Sequence, residues 1–490
     1  MSQNEMPLFN GLLKHAQQNP IPFHIPGHKK GAGVERTFAE FIGLNALSID
    51  LINISPLDDL HAPHGIIQEA QALAAEAFGA DYTFFSVQGT SGAIMAMIMA
   101  TCGPGEKIIV PRNVHKSVMS AIVFSGATPV FIHPEIDHTL GISHGITTKA
   151  VKKALEVHPD AKAVLVINPT YFGIVADLKE IVDVAHAYNV PVLVDEAHGV
   201  HIHFHEKLPM SAMEAGADMA ATSVHKLGGS LTQSSILNVR TSHVSPERVQ
   251  SILSMLTTTS TSYLLLASLD AARKQLATKG HALLEKTIQH SQYVRQEVNK
   301  IQGLYCPGKE ILHAESTYDL DPTKILISVR EVGITGYEAE IWLREQYNLE
   351  VELSDLYNIL CIITLGDNEE TIQVLLQALR ALSGCFLKEG RMKREVTVEV
   401  PEIPLLALSP RDAFYSETEV VPFSESVDRI IAEFIMVYPP GIPILIPGEI
   451  ITKENLDYII KNQKAGLPVQ GPEDHALQTL RVIKEYKAIK

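Results

Sequence analysis

Val192-Leu193-Val194-Asp195-Glu196-Ala197-His198-Gly199 decides the reading of this chain, together with the tetrad Ser223-Val224-His225-Lys226 that follows it. A short apolar run ending on an acid reads as a buried strand of a parallel sheet, and such sheets place their sites at the carboxyl ends of the strands. A second short strand, expected from Asp218 to Thr222, precedes the tetrad, so Asp195 and Lys226 should lie on neighbouring strand ends. From about residue 60 to 240, short apolar runs alternate with amphipathic segments, which predicts a doubly wound α/β domain around a mostly parallel sheet. Further strands are expected at Tyr82 to Val87, Lys107 to Val110, Pro129 to Ile132, Ala163 to Ile167 and Val190 to Val194. Ile66, Ala70, Leu73 and Ala77 recur at helical spacing, with Gly79 placed as a left-handed cap, and Asp177-Leu178-Lys179-Glu180 opens another helix like a capping box.

Beyond this domain the pattern changes. Residues 262 to 303 are strongly helical and polar, as a connector would be. A smaller α+β unit follows: strands at Lys324 to Arg330 and Ile359 to Leu365, a capping box at Thr335-Gly336-Tyr337-Glu338, and a helix from Glu369 to Ser383. Mixed charge from Gly390 to Val400, then Pro401 and Pro404, mark a boundary before a C-terminal unit. The expected organisation is an N-terminal arm (1–60), a large cofactor-binding domain (61–261), a helical connector with a small domain (262–392) and a C-terminal domain (393–490).

At 490 residues the chain is too long for one core. Its 40 Lys and Arg against 56 Asp and Glu give a net charge of −16, which disfavours nucleic acid and anionic membranes and suits a cationic ligand. Cys102, Cys306, Cys361 and Cys385 show neither C-x-x-C spacing nor the density of a disulfide scaffold, so a reducing cytoplasm is expected. Met1-Ser2-Gln3-Asn4-Glu5-Met6-Pro7 lacks the features of a secretory leader, and the longest apolar runs, such as Ala93 to Cys102, are too short to span a bilayer. A soluble, unprocessed protein is expected.

The chemistry of the two central segments points to pyridoxal phosphate. A carboxylate buried at a strand end can hold the cofactor's pyridine nitrogen protonated, by a charge-assisted bond worth roughly 1.5–3 kcal/mol. A lysine in the small-residue run His225-Lys226-Leu227-Gly228-Gly229-Ser230-Leu231-Thr232-Gln233 can shed its proton and form the internal aldimine. Gln88-Gly89-Thr90-Ser91-Gly92 lies between a strand and an apolar helix, where hydroxyls and amides meet a phosphate, so Thr90 and Ser91 are phosphate candidates. Ser223 and His225 are placed to reach the same phosphate. His115, opening a helix in Arg112-Asn113-Val114-His115-Lys116-Ser117, is a candidate to stack on the cofactor ring, and His198 to line the pocket. Each has a plainer reading: Asp195 as a helix cap, Lys226 as a solvated surface lysine, the Gly89 turn as a tight connection. His198, His201, His203 and His205 cluster at spacing that also suits zinc, but no acidic partner stands at obvious spacing and no metal site is expected.

Four segments carry a resemblance: Phe23-His24-Ile25-Pro26-Gly27-His28-Lys29-Lys30-Gly31, Pro56-Leu57-Asp58-Asp59-Leu60-His61, Ser223-Val224-His225-Lys226 and Tyr438-Pro439-Pro440-Gly441-Ile442-Pro443. Together they resemble the ornithine/lysine/arginine decarboxylase family, over nearly the whole chain. Within it the chain is most similar to the short bacterial members that convert arginine to agmatine for polyamine synthesis. The longer, acid-inducible members carry an N-terminal receiver-like domain before the point at which this sequence starts. The resemblance implies an aspartate-aminotransferase-type fold (fold type I), a C-terminal family domain and active sites shared across a homodimer or higher homo-oligomer. It implies Lys226 for the aldimine, Asp195 for the pyridine nitrogen, His115 for ring stacking, and Thr90, Ser91, Ser223 and His225 for the phosphate. Thr257-Thr258-Thr259-Ser260-Thr261-Ser262 resembles the segment that reaches the partner's phosphate.

The expected reaction is decarboxylation of a basic L-amino acid, arginine favoured over lysine or ornithine, through an external aldimine and a quinonoid, with Lys226 or His225 returning the proton to Cα. Asp58, Asp59, Glu352 and Asp355 are candidates to meet the substrate's cationic side chain, against the alternative that they are solvated surface acids. An aminotransferase or acyl-CoA-condensing synthase on the same fold is the nearest rival reading, and a catalytically idle regulator the next.

Overall fold

The computed structural model describes residues 2–389, 401–437, 441–464 and 467–484. The chain divides into two compact units, Met1–Thr101 with Asn189–Lys286, and Cys102–Tyr188 with Thr287–Lys490. The helix Tyr263–Val298 runs from the first into the second, where a helical connector was expected. Gly390 to Val400, taken for a boundary, lie outside the described residues, as do Tyr438, Pro439 and Pro440.

In the first unit the strands stand in the order Tyr82–Ser86, Ser235–Val239, Met219–Thr222, Val192–Asp195. The last two pair in parallel with Asp195 opposite Ala221, so the Asp195 and Lys226 segments leave the sheet at the same edge. Ser235–Val239 is antiparallel to both its neighbours, a strand that the sequence reading missed because it follows the small-residue loop without a turn signal of its own. The helix Gly89–Thr101 is apolar all round, and accordingly Ala93, Ile94, Ala96, Met97 and Ile98 are all buried. Gly89 has φ +66°, a left-handed conformation that favours glycine at the helix entry. Ile66–Phe78 is a helix closed by Gly79 as expected; of its expected stripe Ala70 and Leu73 are buried, whereas Ile66 and Ala77 are half-buried and Ile67 and Phe78 take the buried positions at the two ends.

The second unit holds three parallel strands in the order Ala163–Ile167, Lys107–Pro111, Thr128–Ile132. It also holds an antiparallel sheet of Lys324–Ser328, Asn358–Ile362 and Leu353–Ser354, whose core side chains Ile325, Ile327 and Ile359 pack with Leu343, Leu376 and Leu379. Thr335 and Glu338 close both halves of the expected capping box. At Asp177 only the forward half forms: its side chain accepts from the Glu180 N–H at 3.1 Å.

The loop that begins at Arg112 is anchored to the C-terminal part of this unit. The Arg112 guanidinium donates to both oxygens of Glu449 at 2.7 and 2.8 Å and to the Pro443 carbonyl at 2.9 Å, and sits 4.7 Å above the Phe131 ring. Both side chains are buried; burial raises the Glu449 pKa against the pull of Arg112. Glu449→Gln leaves a buried guanidinium without its counter-charge, and is expected to destabilise the fold by about 3–5 kcal/mol, read by chemical denaturation.

Candidate functional site

Three hydroxyls from three separate segments of the first unit meet at one point. The Thr90 hydroxyl, in the first turn of helix Gly89–Thr101, is hydrogen-bonded to that of Ser223 and, at 2.9 Å, to that of Ser235. All three residues are buried. Ser235 was missed from sequence; the paired serines Ser234-Ser235, closing the lysine loop, were the available signal. Ser91, the next residue, is half-buried.

Lys226 Nζ lies 2.7 Å from His198 Nε2, so the last histidine of the Asp195 run and the lysine of the second segment share a proton-bearing contact. Lys226 is half-buried and His198 buried. His225 is held by its Nδ1, which donates to the Ser234 carbonyl at 3.0 Å. Asp195 is buried, accepting from the Ala197 N–H at 3.2 Å, and burial pushes its carboxyl up to about 6 against the opposing charge of Lys226. Glu196, which the sequence reading passed over, is buried beside it and pushed up to about 8, again chiefly by burial.

Thr90, Ser223, His225, Lys226, Asp195 and His198 thus all belong to the first unit. His115 belongs to the second, at the N-cap of helix Lys116–Ser125, with an exposed ring whose Nδ1 is 2.8 Å from the Ser117 hydroxyl. The four acids take different positions. Asp58 is buried and its oxygens accept from the N–H groups of Asp59, His64, Gly65, Ile67 and Gln68. Asp355 is buried likewise and accepts from the amides of Tyr357 and Asn358. Asp59 is half-buried, bonded to Asn53 Nδ2 at 3.1 Å, and Glu352 is exposed, accepting from the Tyr171 hydroxyl at 2.5 Å.

The Thr257 to Ser262 run splits by exposure: Thr258, Thr259 and Ser260 are exposed, whereas Thr261 is buried with its hydroxyl unbonded. His61, from the Pro56 to His61 segment, bridges to this run through Ser254 Oγ at 2.8 Å and the Thr258 carbonyl at 3.0 Å. Of the four clustered histidines, His198 goes to Lys226 and His203 to Ser211, whereas His205 has an acidic neighbour after all: its ring lies with Glu206 and His281 in a group whose ligand atoms are within 4.8 Å of one another, and it also meets Glu285.

An α/β chain with a lysine and a buried acid at adjoining strand ends defines the class, and solved structures agree on the fold. It is the aspartate-aminotransferase type, fold type I. The Francisella novicida lysine decarboxylase superposes with a TM-score of 0.84 at 23% identity, over 98% of this chain and 82% of that one. A structure described as SPT with a PLP internal aldimine matches at a TM-score of 0.51 and 18% identity, over 65% of this chain and 76% of that one. Residues 6–371 match the Orn/Lys/Arg decarboxylase major domain and residues 392–471 the C-terminal domain of the same family. The chain belongs to the Orn/Lys/Arg decarboxylase family, as its four segments imply. It is 70% identical over 489 residues to an arginine decarboxylase of Bacillus anthracis, covering 100% of this chain and 99% of the relative. It is 68% identical to that of Bacillus subtilis, covering 100% of both. Among the described residues, no helix is long and apolar enough to cross a membrane.

Proposed function

We propose that this chain is a pyridoxal-phosphate-dependent decarboxylase that converts L-arginine to agmatine and carbon dioxide, supplying polyamine and spermidine biosynthesis in the cytoplasm. The observation that carries the chemistry is the Lys226 to His198 contact of 2.7 Å in the unit that holds the buried Asp195. The substrate choice is supported by 70% identity, over the whole chain, to a protein named arginine decarboxylase.

The residues fit the cofactor. A phosphate needs several donors at a helix entrance, and Thr90, Ser223 and Ser235 present clustered hydroxyls there, with Ser91 and His225 beside them in sequence. Asp195 would hold the ring nitrogen, Lys226 the aldehyde carbon and His198 the pocket wall, while the resemblance assigns His115 to the ring face. When bound, the cofactor supplies an electron sink conjugated to the substrate's Cα.

The side chains of the protein then divide the work. Asp195, kept from water, is costly to leave charged alone and is stabilised by an opposing positive charge, so it favours a protonated nitrogen within reach. The 2.7 Å contact with His198 Nε2 orients the Lys226 amine and sets a ring nitrogen within proton-transfer distance of it. Lys226 or His225 returns a proton to Cα after carbon dioxide departs. Asp59 and Glu352 are assigned to the guanidinium ahead of Asp58 and Asp355, whose carboxylates already serve backbone amides. The domain limits are assigned at residues 60, 261 and 392.

The assembly is assigned as a homodimer or higher homo-oligomer with shared sites. Ile21, Phe23, Phe41 and Leu44 of the N-terminal arm are all exposed, an apolar surface that a second copy would cover. The test of function is release of carbon dioxide and amine from L-arginine, L-lysine and L-ornithine by the purified protein. Arginine is expected to exceed both others in kcat/KM by at least about 100-fold, since acids placed to pair a planar, forked guanidinium lose paired hydrogen bonds when a single ammonium takes its place. A preference for lysine or ornithine would overturn the assignment of substrate, and keto acid formation the assignment of reaction.

A further inference from the structure

Glu196 has no part in the roles above, yet it is only 3% exposed. One carboxyl oxygen accepts from the Ala212 N–H at 2.7 Å and the other from the Thr222 hydroxyl at 3.1 Å. Among the described residues no cation forms an ion pair with it, and the charge acting on it most is that of Glu214. Its own N–H donates to the Ala221 carbonyl at 3.0 Å. Glu196 follows Asp195 directly, and Thr222 directly precedes Ser223, which leads to Lys226. A single carboxyl therefore ties the strand end that carries Asp195 to the strand end that delivers Ser223 and Lys226.

Each carboxyl oxygen is held by its own donor, so the side chain cannot turn without breaking one of the two ties. Burial raises the carboxyls of both Glu196 and Asp195; the Lys226 charge opposes the rise at Asp195, and the Glu214 charge adds to it at Glu196.

We infer that Glu196 is a positioning residue, whose carboxyl sets Asp195 against the Ser223 to Lys226 segment through its bonds to the Ala212 N–H and the Thr222 hydroxyl. This rests on the reading of Asp195 and Lys226 given above. The experiment compares Glu196→Gln, Glu196→Ala and Thr222→Val with the wild-type holoenzyme, and measures pyridoxal phosphate affinity on the cofactor-free proteins. Glu196→Ala is expected to lower kcat about 30- to 100-fold, as a shift of reacting groups by a fraction of an ångström does, with KM changed less than about threefold. It should also weaken pyridoxal phosphate binding and shift the pH titration of the bound cofactor's absorbance. Glu196→Gln, which has the same length and keeps polar atoms facing the Ala212 N–H and the Thr222 hydroxyl, should restore kcat to within about threefold of wild type with an unshifted titration, and Thr222→Val should lose about tenfold in kcat. If Glu196→Ala does not fold, the Gln and Val variants decide. A glutamine variant as impaired as alanine, or a valine variant with wild-type kcat, affinity and titration, overturns the inference. Borohydride labelling of wild type separates the two readings: without label on Lys226 the parent reading fails, and with it an insensitive Glu196 fails alone.

Discussion

Lys226→Ala is expected to lower decarboxylation on the order of 10⁴-fold or more, the scale seen when a covalent participant is removed from a group acting as a unit. Lys226 is half-buried, and neither the bonds among the Thr90, Ser223 and Ser235 hydroxyls nor the pairing of the strands runs through its side chain. The variant should therefore fold, with a melting temperature close to that of wild type. Borohydride reduction followed by peptide mass spectrometry should place the cofactor on Lys226 in wild type and on no residue in the variant. Label on a different lysine in wild type would remove the basis of the proposed chemistry.

Asp195→Asn is expected to keep the cofactor and lose about 10²- to 10³-fold in kcat, the loss typical of removing one preorganised electrostatic partner. The neutral amide still accepts from the Ala197 N–H but cannot balance a protonated ring nitrogen. Stability offers an independent check on the cofactor-free protein. Burial holds Asp195 at about 6 when folded, above the roughly 3.9 of an unfolded aspartate. Between about pH 4 and pH 6 the folded chain then binds more protons than the unfolded one, so this residue's contribution falls as pH rises and stays low above that window. Cofactor-free Asp195→Asn should accordingly be more stable than cofactor-free wild type at pH 7 to 8, on the order of 2–4 kcal/mol, and the gap should close below about pH 4. Equal stability at pH 7 to 8, or wild-type turnover with cofactor bound, would show that Asp195 is not the buried partner of the ring.

Local chemistry was legible where it was written in adjacent residues. The apolar run Val192 to Val194 specified a buried strand, Gly79 a helix end, and Thr335 with Glu338 a capping box, because each depends on side chains within one turn or one strand. The stripe of helix Ile66–Phe78 held at Ala70 and Leu73 but moved from Ile66 to Ile67 and from Ala77 to Phe78 at its ends, because apolar spacing alone fixes a face only to within a residue, and packing chooses among neighbours. Strand Ser235–Val239 went unseen because it is antiparallel in a segment read for its lysine loop.

Sequence by itself determined which residues have the right chemistry: a lysine, an acid and hydroxyls at the ends of strands, in an acidic chain of enzyme size. Tertiary structure alone decided which of them are available. Thr90 meets Ser223 and Ser235 across sequence separations of 133 and 145 residues, a meeting set by strand order and by no local pattern. Asp58 and Asp355 are spent on backbone amides, Glu196 is tied to Thr222, and Lys226 is aligned on His198. The physical reason is that a polar group's reactivity depends on its desolvation and its hydrogen-bond partners. Both are properties of the folded chain, since burial removes water and the sheet supplies neighbours that no stretch of sequence contains.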